Sequence, residues 1–203
     1  MKPNDNSHYS HKLALREKYA EKVEAELCFD LFCGTGTFVQ AVWAPSFSQV
    51  VCVDKSRKQL EQLPGLPNVT AYQGDNAKLL PGLLVKYGAP DIVDLDAYGW
   101  PDPLVHDLLT TSVTNKRFAV VATDGGMKVR QRGSPNALPE CYGFGKNLTF
   151  AQYGAAMDAA AVRAHTMLRA WATIGGKAVV DFDAYVCGSM MYWAALFEPQ
   201  DVT

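Results

Sequence analysis

The sequence predicts a doubly wound α/β fold, in which helices cover both faces of a mostly parallel sheet. Short apolar runs alternate with helical segments across short turns, and polar or glycine residues follow several of these runs. The 203 residues, of which 48% are hydrophobic and 20% charged, are enough to bury one core. We therefore expect a single domain over residues 1–203.

The first element is predicted in the N-terminal segment, residues 1–26. Residues 8–26 are charged, and apolar residues recur there at helical spacing, which predicts an amphipathic helix lying on the domain: Leu13, Ala20, Val23 and Leu27. Apolar runs then predict strands at 27–32, 49–54, 69–74, 91–95 and 117–123, with helices between them at 38–43, 56–63, 76–86 and 103–110.

The regular alternation ends at residues 124–148, where seven Gly or Pro residues predict a long irregular insertion. A long helix is expected at 150–173, followed by Gly175 and Gly176 as its stop. Residues 177–184 and 189–197 predict two closing strands that form an antiparallel edge of the sheet.

Composition narrows the class of protein. The polar N-terminus has no signal-peptide pattern, and every apolar run is far shorter than the ~20 residues of a membrane span, so we expect a cytoplasmic protein that does not enter a membrane. The five cysteines form no C-x-x-C pair, which favours buried free thiols at Cys28 and Cys52 over a disulfide framework or a zinc site. His8 and His11 have no further ligands nearby, so no metal is expected.

Three polar clusters follow predicted strands, where parallel sheets bind ligands. Asp30 precedes a turn with Gly34 and Gly36, which allows close approach of the backbone to a ligand, although such a turn also serves as a plain connection. Asp54 is placed to accept hydrogen bonds from ribose hydroxyls, or to sit at a helix N-terminus. Asp75, with Asn76, either contacts an adenine edge or caps the next helix. Together they predict an adenosine site.

Charge distinguishes between adenosine ligands. A dinucleotide turn usually has a third small residue where Val39 stands, and the Asp30 carboxylate would repel a pyrophosphate. S-adenosylmethionine carries an ammonium and a sulfonium, which an acid attracts. The sequence therefore favours S-adenosyl-L-methionine as cofactor.

In order and spacing, the segments DLFCGTGTF, VVCVD, YQGDNAKLL and DIVDLDAYGWP resemble motifs one to four of the class I S-adenosylmethionine-dependent methyltransferases. The resemblance covers residues 27–123. It implies a seven-stranded Rossmann-like sheet with an antiparallel last strand. It also implies that Asp30 and the glycine turn hold the methionine part, Asp54 the ribose and Asp75 the adenine. The predicted cofactor-binding residues are Asp30, Phe32, Gly34, Thr35, Gly36, Thr37, Asp54, Lys55, Asp75, Asn76 and Asp94.

The fourth segment suggests the acceptor. Amino-methylating members carry D-P-P-Y or N-P-P-Y there, because a carboxylate or carbonyl accepts the amine N–H while an aromatic ring stacks on the base. D-L-D-A-Y-G-W-P resembles the D-x-D-P-[FY]-G-x-P of the tRNA guanine-N2 dimethyltransferases, with Ala97 in place of proline. The resemblance implies Asp96 as amine acceptor and Tyr98 as stacking residue, the two predicted catalytic residues.

A basic segment suggests the partner. Residues 115–147 carry six Lys or Arg against two acids, a local charge of +4 within a chain of formal charge −2. Cations interleaved with aromatic residues are typical of a loop that contacts nucleic acid, with RNA favoured over DNA. The predicted substrate-binding residues are Trp100, Lys128, Arg130, Arg132 and Tyr142.

Two other functions fit the same residues. One is a small-molecule N- or O-methyltransferase in which residues 124–148 act as a lid. The other is a non-catalytic S-adenosylmethionine-binding subunit of a larger assembly, which the two carboxylates at strand four, Asp94 and Asp96, make less favoured. A partner chain that recognises the target is compatible with each.

Overall fold

The computed structural model describes residues 8–97, 99, 101–111, 116–125, 150–187 and 190–200. Of the predicted insertion at 124–148, only residues 124 and 125 lie within these ranges. The helices are α1 (Tyr9–Ala20), α2 (a π-helical Val39–Trp43 followed by Ala44–Ser46), α3 (Arg57–Leu60), α4 (Asn76–Tyr87), α5 (Asp102–Thr110) and α6 (Phe150–Ile174). The strands are β1 (Leu27–Asp30), β2 (Gln49–Asp54), β3 (Val69–Gln73), β4 (Ile92–Leu95), β5 (Phe118–Asp124), β6 (Lys177–Cys187) and β7 (Met190–Pro199).

The seven strands form one sheet in the order β3-β2-β1-β4-β5-β7-β6. The first five run parallel, and β7 is antiparallel to both β5 and β6. The predicted doubly wound sheet with an antiparallel C-terminal strand is thereby confirmed. The strand order reverses between β1 and β4, so the carboxyl ends of these two strands flank the crevice where such sheets bind ligands.

Several boundaries differ from the predicted ones. The strand predicted at 27–32 ends at Asp30, because the chain turns there into the loop that contains both glycines. The helix predicted at 56–63 ends at Leu60, one turn after its cap, the Ser56 hydroxyl, which accepts from the Gln59 amide. The strand predicted at 177–184 continues to Cys187, because it pairs with β7 along its whole length.

Two apolar clusters cover the two faces of the sheet. On one face α4, α5 and α6 pack on the strands, and α6 contributes a buried stripe of small and aliphatic residues: Ala160, Ala164, Leu168 and Ala172. On the other face α1 and α2 cover β1, β2, β5 and β7. Cys28 and Cys52 are buried free thiols, as predicted. Among the helices that the structure describes, none combines the length and hydropathy needed to cross a bilayer.

The buried side of α1 differs from the predicted apolar stripe. Its buried residues are Lys12, Arg16 and Tyr19, spaced four and three residues apart, while Leu13 is only half-buried. The helix predicted over 8–26 ends at Ala20, so Val23 of the predicted stripe lies beyond it. Two cations on the inner side of a helix need acidic partners, because an unpaired buried charge is strongly destabilising. Those partners lie at the carboxyl end of β4.

Candidate active site

The turn after β1 opens onto the crevice. Gly34 and Gly36 have φ of +54° and +82°, a backbone conformation that side chains other than glycine rarely adopt. A Cβ at Gly36 would lie 2.2 Å from Leu63 Cδ1, whereas a Cβ at Gly34 would meet no atom within 4 Å. The turn therefore packs tightly on one side and faces open space at Gly34. Phe32, Thr35 and Thr37, predicted to bind cofactor, are half-buried along this turn.

Asp54 joins the end of β2 to this turn. Its Oδ2 accepts from the Gly34 amide at 3.0 Å, and its Oδ1 accepts from the Ser56 amide at 2.7 Å. A carboxylate has about four lone-pair positions, so further acceptor capacity remains on each oxygen of this half-exposed side chain. Asp54 is therefore fixed in orientation beside Gly34 and can accept additional hydrogen bonds.

Asp75 caps α4, the second of the two interpretations that the sequence allows. Its Oδ1 accepts from the Ala77 and Lys78 amides at 3.1 and 3.3 Å, and its Oδ2 pairs with Lys55 Nζ at 2.8 Å. The hydrogen bond from Lys55, followed by the Lys78 amide, lowers the pKa of Asp75. The neighbouring Asn76 has a buried side-chain oxygen with no hydrogen-bond partner among the described residues. An adenine contact at this position stays a prediction.

Asp94 is enclosed by α1 and α2. Arg16 grips it with two hydrogen bonds, Nε to Oδ2 and Nη2 to Oδ1, both at 2.7 Å, and Trp43 Nε1 donates to Oδ2 at 3.0 Å. Its exposed fraction is 0%. In this arrangement Asp94 holds Arg16 and Trp43 in place and contacts no solvent, so its predicted role as a direct cofactor ligand stays a prediction.

Asp96 lies just beyond β4 and is paired with Lys12. Lys12 Nζ contacts its two oxygens at 2.6 and 2.8 Å, and Arg16 Nη2 lies 3.7 Å from Oδ2. Burial raises the pKa of Asp96, but the charges of Arg16 and Lys12 outweigh it and lower the pKa below its ordinary value. The side chain keeps 20% of its surface exposed, so it is the more accessible of the two carboxylates.

A row of side chains extends from Asp96 across the carboxyl end of the sheet. Asp96 follows Leu95, which pairs with Ala122, so it is level with Thr123 of β5. Thr123 is paired in register with Tyr192 of β7, and Tyr192 with Tyr185 of β6. The Thr123 side chain is buried, and its interaction with the neighbouring Asp96 carboxylate helps to lower the pKa of Asp96. His11 of α1 stacks on Tyr185 with ring centroids 4.2 Å apart.

Two further carboxyl groups are perturbed near the crevice. Burial, followed by repulsion from Asp94, raises the pKa of Asp30 well above its ordinary value, because the two residues are in register on adjacent strands. Burial and the charge of Asp124 raise the pKa of Asp102 to about 7. Asp30 Oδ1 also accepts from the Phe32 amide at 3.3 Å.

The structure brings together the predicted residues of β1, β2 and β4, but the two cations of α1 are absent from the sequence prediction. The signal that could have found Lys12 and Arg16 is their spacing of four on a helix, together with two carboxylates in D-L-D that need counter-charges. The predicted residues Tyr98, Trp100, Lys128, Arg130, Arg132 and Tyr142 lie outside the described residues.

Solved structures of several methyltransferases share this fold at low sequence identity. Trm1 from Pyrococcus horikoshii, solved with S-adenosyl-L-methionine, matches with a TM-score of 0.66 at 12% identity, over 97% of this chain and 56% of that one. The N-methyltransferase NodS from Bradyrhizobium japonicum matches at 0.59 and 8% identity, over 97% and 99%. The O-methyltransferase TomG from Streptomyces achromogenes, in complex with the same cofactor, matches at 0.59 and 14% identity, over 96% and 82%.

No protein-family model and no curated protein sequence matches the chain. At these identities the structural likenesses bear on the fold. Together with the strand order and the antiparallel β7, they identify it. The chain has the Rossmann-like fold of the class I S-adenosylmethionine-dependent methyltransferases.

Proposed function

We propose that the chain is a methyltransferase that uses S-adenosyl-L-methionine to methylate an exocyclic amine of a nucleic-acid base, with guanine in RNA, including tRNA, as the favoured target. The observation that carries the proposal is the convergence of Asp30, Gly34, Asp54 and Asp96 at the point where the strand order reverses. The fold neighbours support the reaction class, since Trm1 and TomG were both solved with this cofactor.

The residues at the crevice fit the cofactor. The open space at Gly34 admits a ligand against the backbone, and a Cβ there would occupy part of that space. Asp54 would accept from ribose hydroxyls, and the unpartnered Asn76 oxygen would accept an amine hydrogen such as that of adenine. Asp30 would attract the ammonium of the methionine part. Burial favours the neutral form of the Asp30 carboxyl, whereas a bound ammonium would favour its ionised form.

When bound, S-adenosyl-L-methionine supplies a methyl group on a sulfonium. The protein's own task is to place the acceptor nitrogen. Asp96 would accept the amine N–H through a carboxylate oxygen and so orient the nitrogen lone pair, and Tyr98 would stack on the base. Such positioning is worth more than strong basicity, because the methyl group is already activated.

The proposal of a nucleic-acid partner rests on the charge of one segment. Within the basic segment 115–147, Lys128, Arg130 and Arg132 follow β5 in the chain, and the end of β5 lies beside Asp96. Lys128, Arg130 and Arg132 would contact phosphates, and each neutralised phosphate steepens the dependence of binding on salt. Trp100 and Tyr142 would stack on bases.

A label-transfer experiment tests the proposal. The protein is incubated with tritiated S-adenosyl-L-methionine and, separately, total RNA, DNA or protein, and the fraction that gains label is scored. We expect label in RNA, on a base. Asp54→Ala should abolish cofactor binding, whereas Asp96→Ala should keep binding and lose transfer. Transfer by Asp96→Ala at the wild-type rate would refute the role of Asp96.

A small-molecule acceptor is the second candidate, and the likeness to TomG, an O-methyltransferase involved in tomaymycin synthesis, favours it. A filter-binding assay with RNA and DNA across a salt series separates the candidates. A steep salt slope supports nucleic acid as substrate. Tight cofactor binding with no product from any pool would instead indicate a non-catalytic subunit.

A further inference from the structure

Building on the proposed amine methylation, we propose that Lys12 and Arg16 of α1 are positioning residues of the active site, which fix the Asp96 carboxylate as the acceptor of the substrate N–H. The N-terminal helix would then be a component of the catalytic apparatus in addition to a cover for the sheet. The two cations lie on the same side of α1, one turn apart, and each contacts carboxylates at the end of β4.

The first step is geometric. Lys12 Nζ lies within hydrogen-bond distance of both Asp96 oxygens, at 2.6 and 2.8 Å, so it fixes the rotation of the carboxylate. Lys12 is itself held, since its ammonium lies 5.5 Å from the centre of the Tyr192 ring and 6.0 Å from that of Phe38. Both partners of the ion pair are therefore constrained by their surroundings.

The second step is that Arg16 and Lys12 have different roles. Arg16 is buried, and its guanidinium stacks over the Phe38 ring at 3.8 Å. It donates two hydrogen bonds to the Asp94 carboxylate and so anchors α1 to the sheet. Lys12 contacts the acid that remains partly exposed. An ammonium has three rotatable donors, and each carboxylate oxygen has two lone pairs, so Lys12 can stay bound to Asp96 while a substrate amine donates to it.

The third step is electrostatic. Asp96 lies next to Asp94, and two neighbouring buried carboxylates favour protonation of one of them. A protonated Asp96 would have less acceptor capacity for an amine. Arg16 and Lys12 oppose this effect and keep the pKa of Asp96 below its ordinary value. The ion pairs thus preserve the form of Asp96 that the proposed reaction requires.

The test compares Lys12→Met with Lys12→Arg and with Lys18→Met. Lys18 is a matched control, because it lies on the same helix and forms an ion pair at 2.7 Å, with Asp183, away from Asp96. Cofactor affinity and the rate of methyl transfer are measured from the lowest pH at which each variant stays folded up to pH 9. In parallel, the Asp96 carboxyl is titrated by carbon-13 NMR in each folded variant.

We expect Lys12→Met to bind cofactor as wild type does. On acidification it should lose activity at a higher pH than wild type, because without the Lys12 charge the pKa of Asp96 rises. Lys12→Arg should restore the wild-type profile, and Lys18→Met should not move it. If Lys12→Met does not fold, Lys12→Gln replaces it, because an amide keeps N–H donors without the charge.

The positioning role and the proposed function fail separately. If wild-type protein labels no nucleic acid or small molecule, the methyltransferase proposal is wrong, while a raised Asp96 pKa in the Lys12 variant still supports the positioning role. If Asp96 titrates at the same pH with and without the Lys12 charge, or if the activity profile of an active enzyme does not move, the positioning role is refuted.

Discussion

Removing the buried cation Arg16 should be among the most costly single changes in this chain. In Arg16→Met, Asp94 would keep only the hydrogen bond from Trp43 and would stay buried, with 0% of its surface exposed. Breaking a buried ion pair from one side costs about 3–5 kcal/mol. Since a domain of this kind is stable by about 5–15 kcal/mol, the variant would lose about a fifth of its stability or more.

Urea denaturation followed by circular dichroism measures this loss. With a slope of about 2 kcal/mol per molar urea, the midpoint should fall by about 1.5–2.5 M. Lys18→Met, which breaks a half-exposed pair, should cost about 0–1 kcal/mol. The double variant Arg16→Met/Asp94→Asn should recover most of the loss, because the asparagine carbonyl still accepts from Trp43 and no charge is left buried.

The pH dependence provides a second check. Burial pushes the pKa of Asp94 upward and Arg16 opposes it, so without Arg16 the folded-state pKa rises further above that of the unfolded chain. Folding then favours the protonated acid, and the variant loses stability as pH rises through the folded pKa. We expect a smaller deficit at pH 5 than at pH 8. A deficit no larger than that of Lys18→Met at both pH values would refute this account of the pair.

Three further outcomes are expected. Gly36→Ala should lower the urea midpoint more than Gly34→Ala. Both substitutions cost about 1–2 kcal/mol for the left-handed backbone, but only Gly36→Ala places a Cβ 2.2 Å from Leu63. Equal midpoints would contradict this. The Asp102 carboxyl, with a pKa of about 7, is neutral when folded and must ionise on unfolding, so the wild type should lose on the order of 3 kcal/mol of stability between about pH 4 and pH 7. Asp102→Asn should remove this loss. Stability curves with the same pH dependence for both proteins would contradict it. Asp75→Ser should keep the cap of α4, whereas Asp75→Ala should lose it and lower the urea midpoint. Cofactor affinity is measured by calorimetry: a fall in both variants would indicate an adenine contact, and an unchanged affinity in both would exclude one.

Much of the sheet could be predicted, because a parallel strand buried on both faces has a nearly continuous apolar sequence. Gln49–Asp54 matches the predicted strand residue for residue, and the alternation with helices leads to the doubly wound class. The boundaries that differ are decided by tertiary contacts: β6 continues to Cys187 because β7 offers it a partner. Residue preferences alone do not contain that information.

The candidate site was predictable where the residues at a strand end are themselves characteristic of a ligand site. The glycine turn after β1 and Asp54 at the end of β2 are such residues. The role of α1 was not, because the segment has Leu13, Ala20 and Val23 at helical spacing in the sequence, and apolar spacing normally marks the buried side. Instead the sheet offers carboxylates there, and ion pairing turned Lys12 and Arg16 inward. The ion pairs that decide which side of α1 is buried join residues 84 and 78 positions apart in sequence.

The contacts of α1 with the last hairpin also affect how the chain is made. Lys18 and Lys22 pair with Asp183 and Asp181, which are 165 and 159 residues later in the chain. At a synthesis rate of about 5–20 residues per second, the helix leaves the ribosome roughly 10–30 s before those partners exist. During that interval the basic side of α1 has no hairpin to bind. Complete docking of α1 therefore has to be one of the last steps of folding during synthesis.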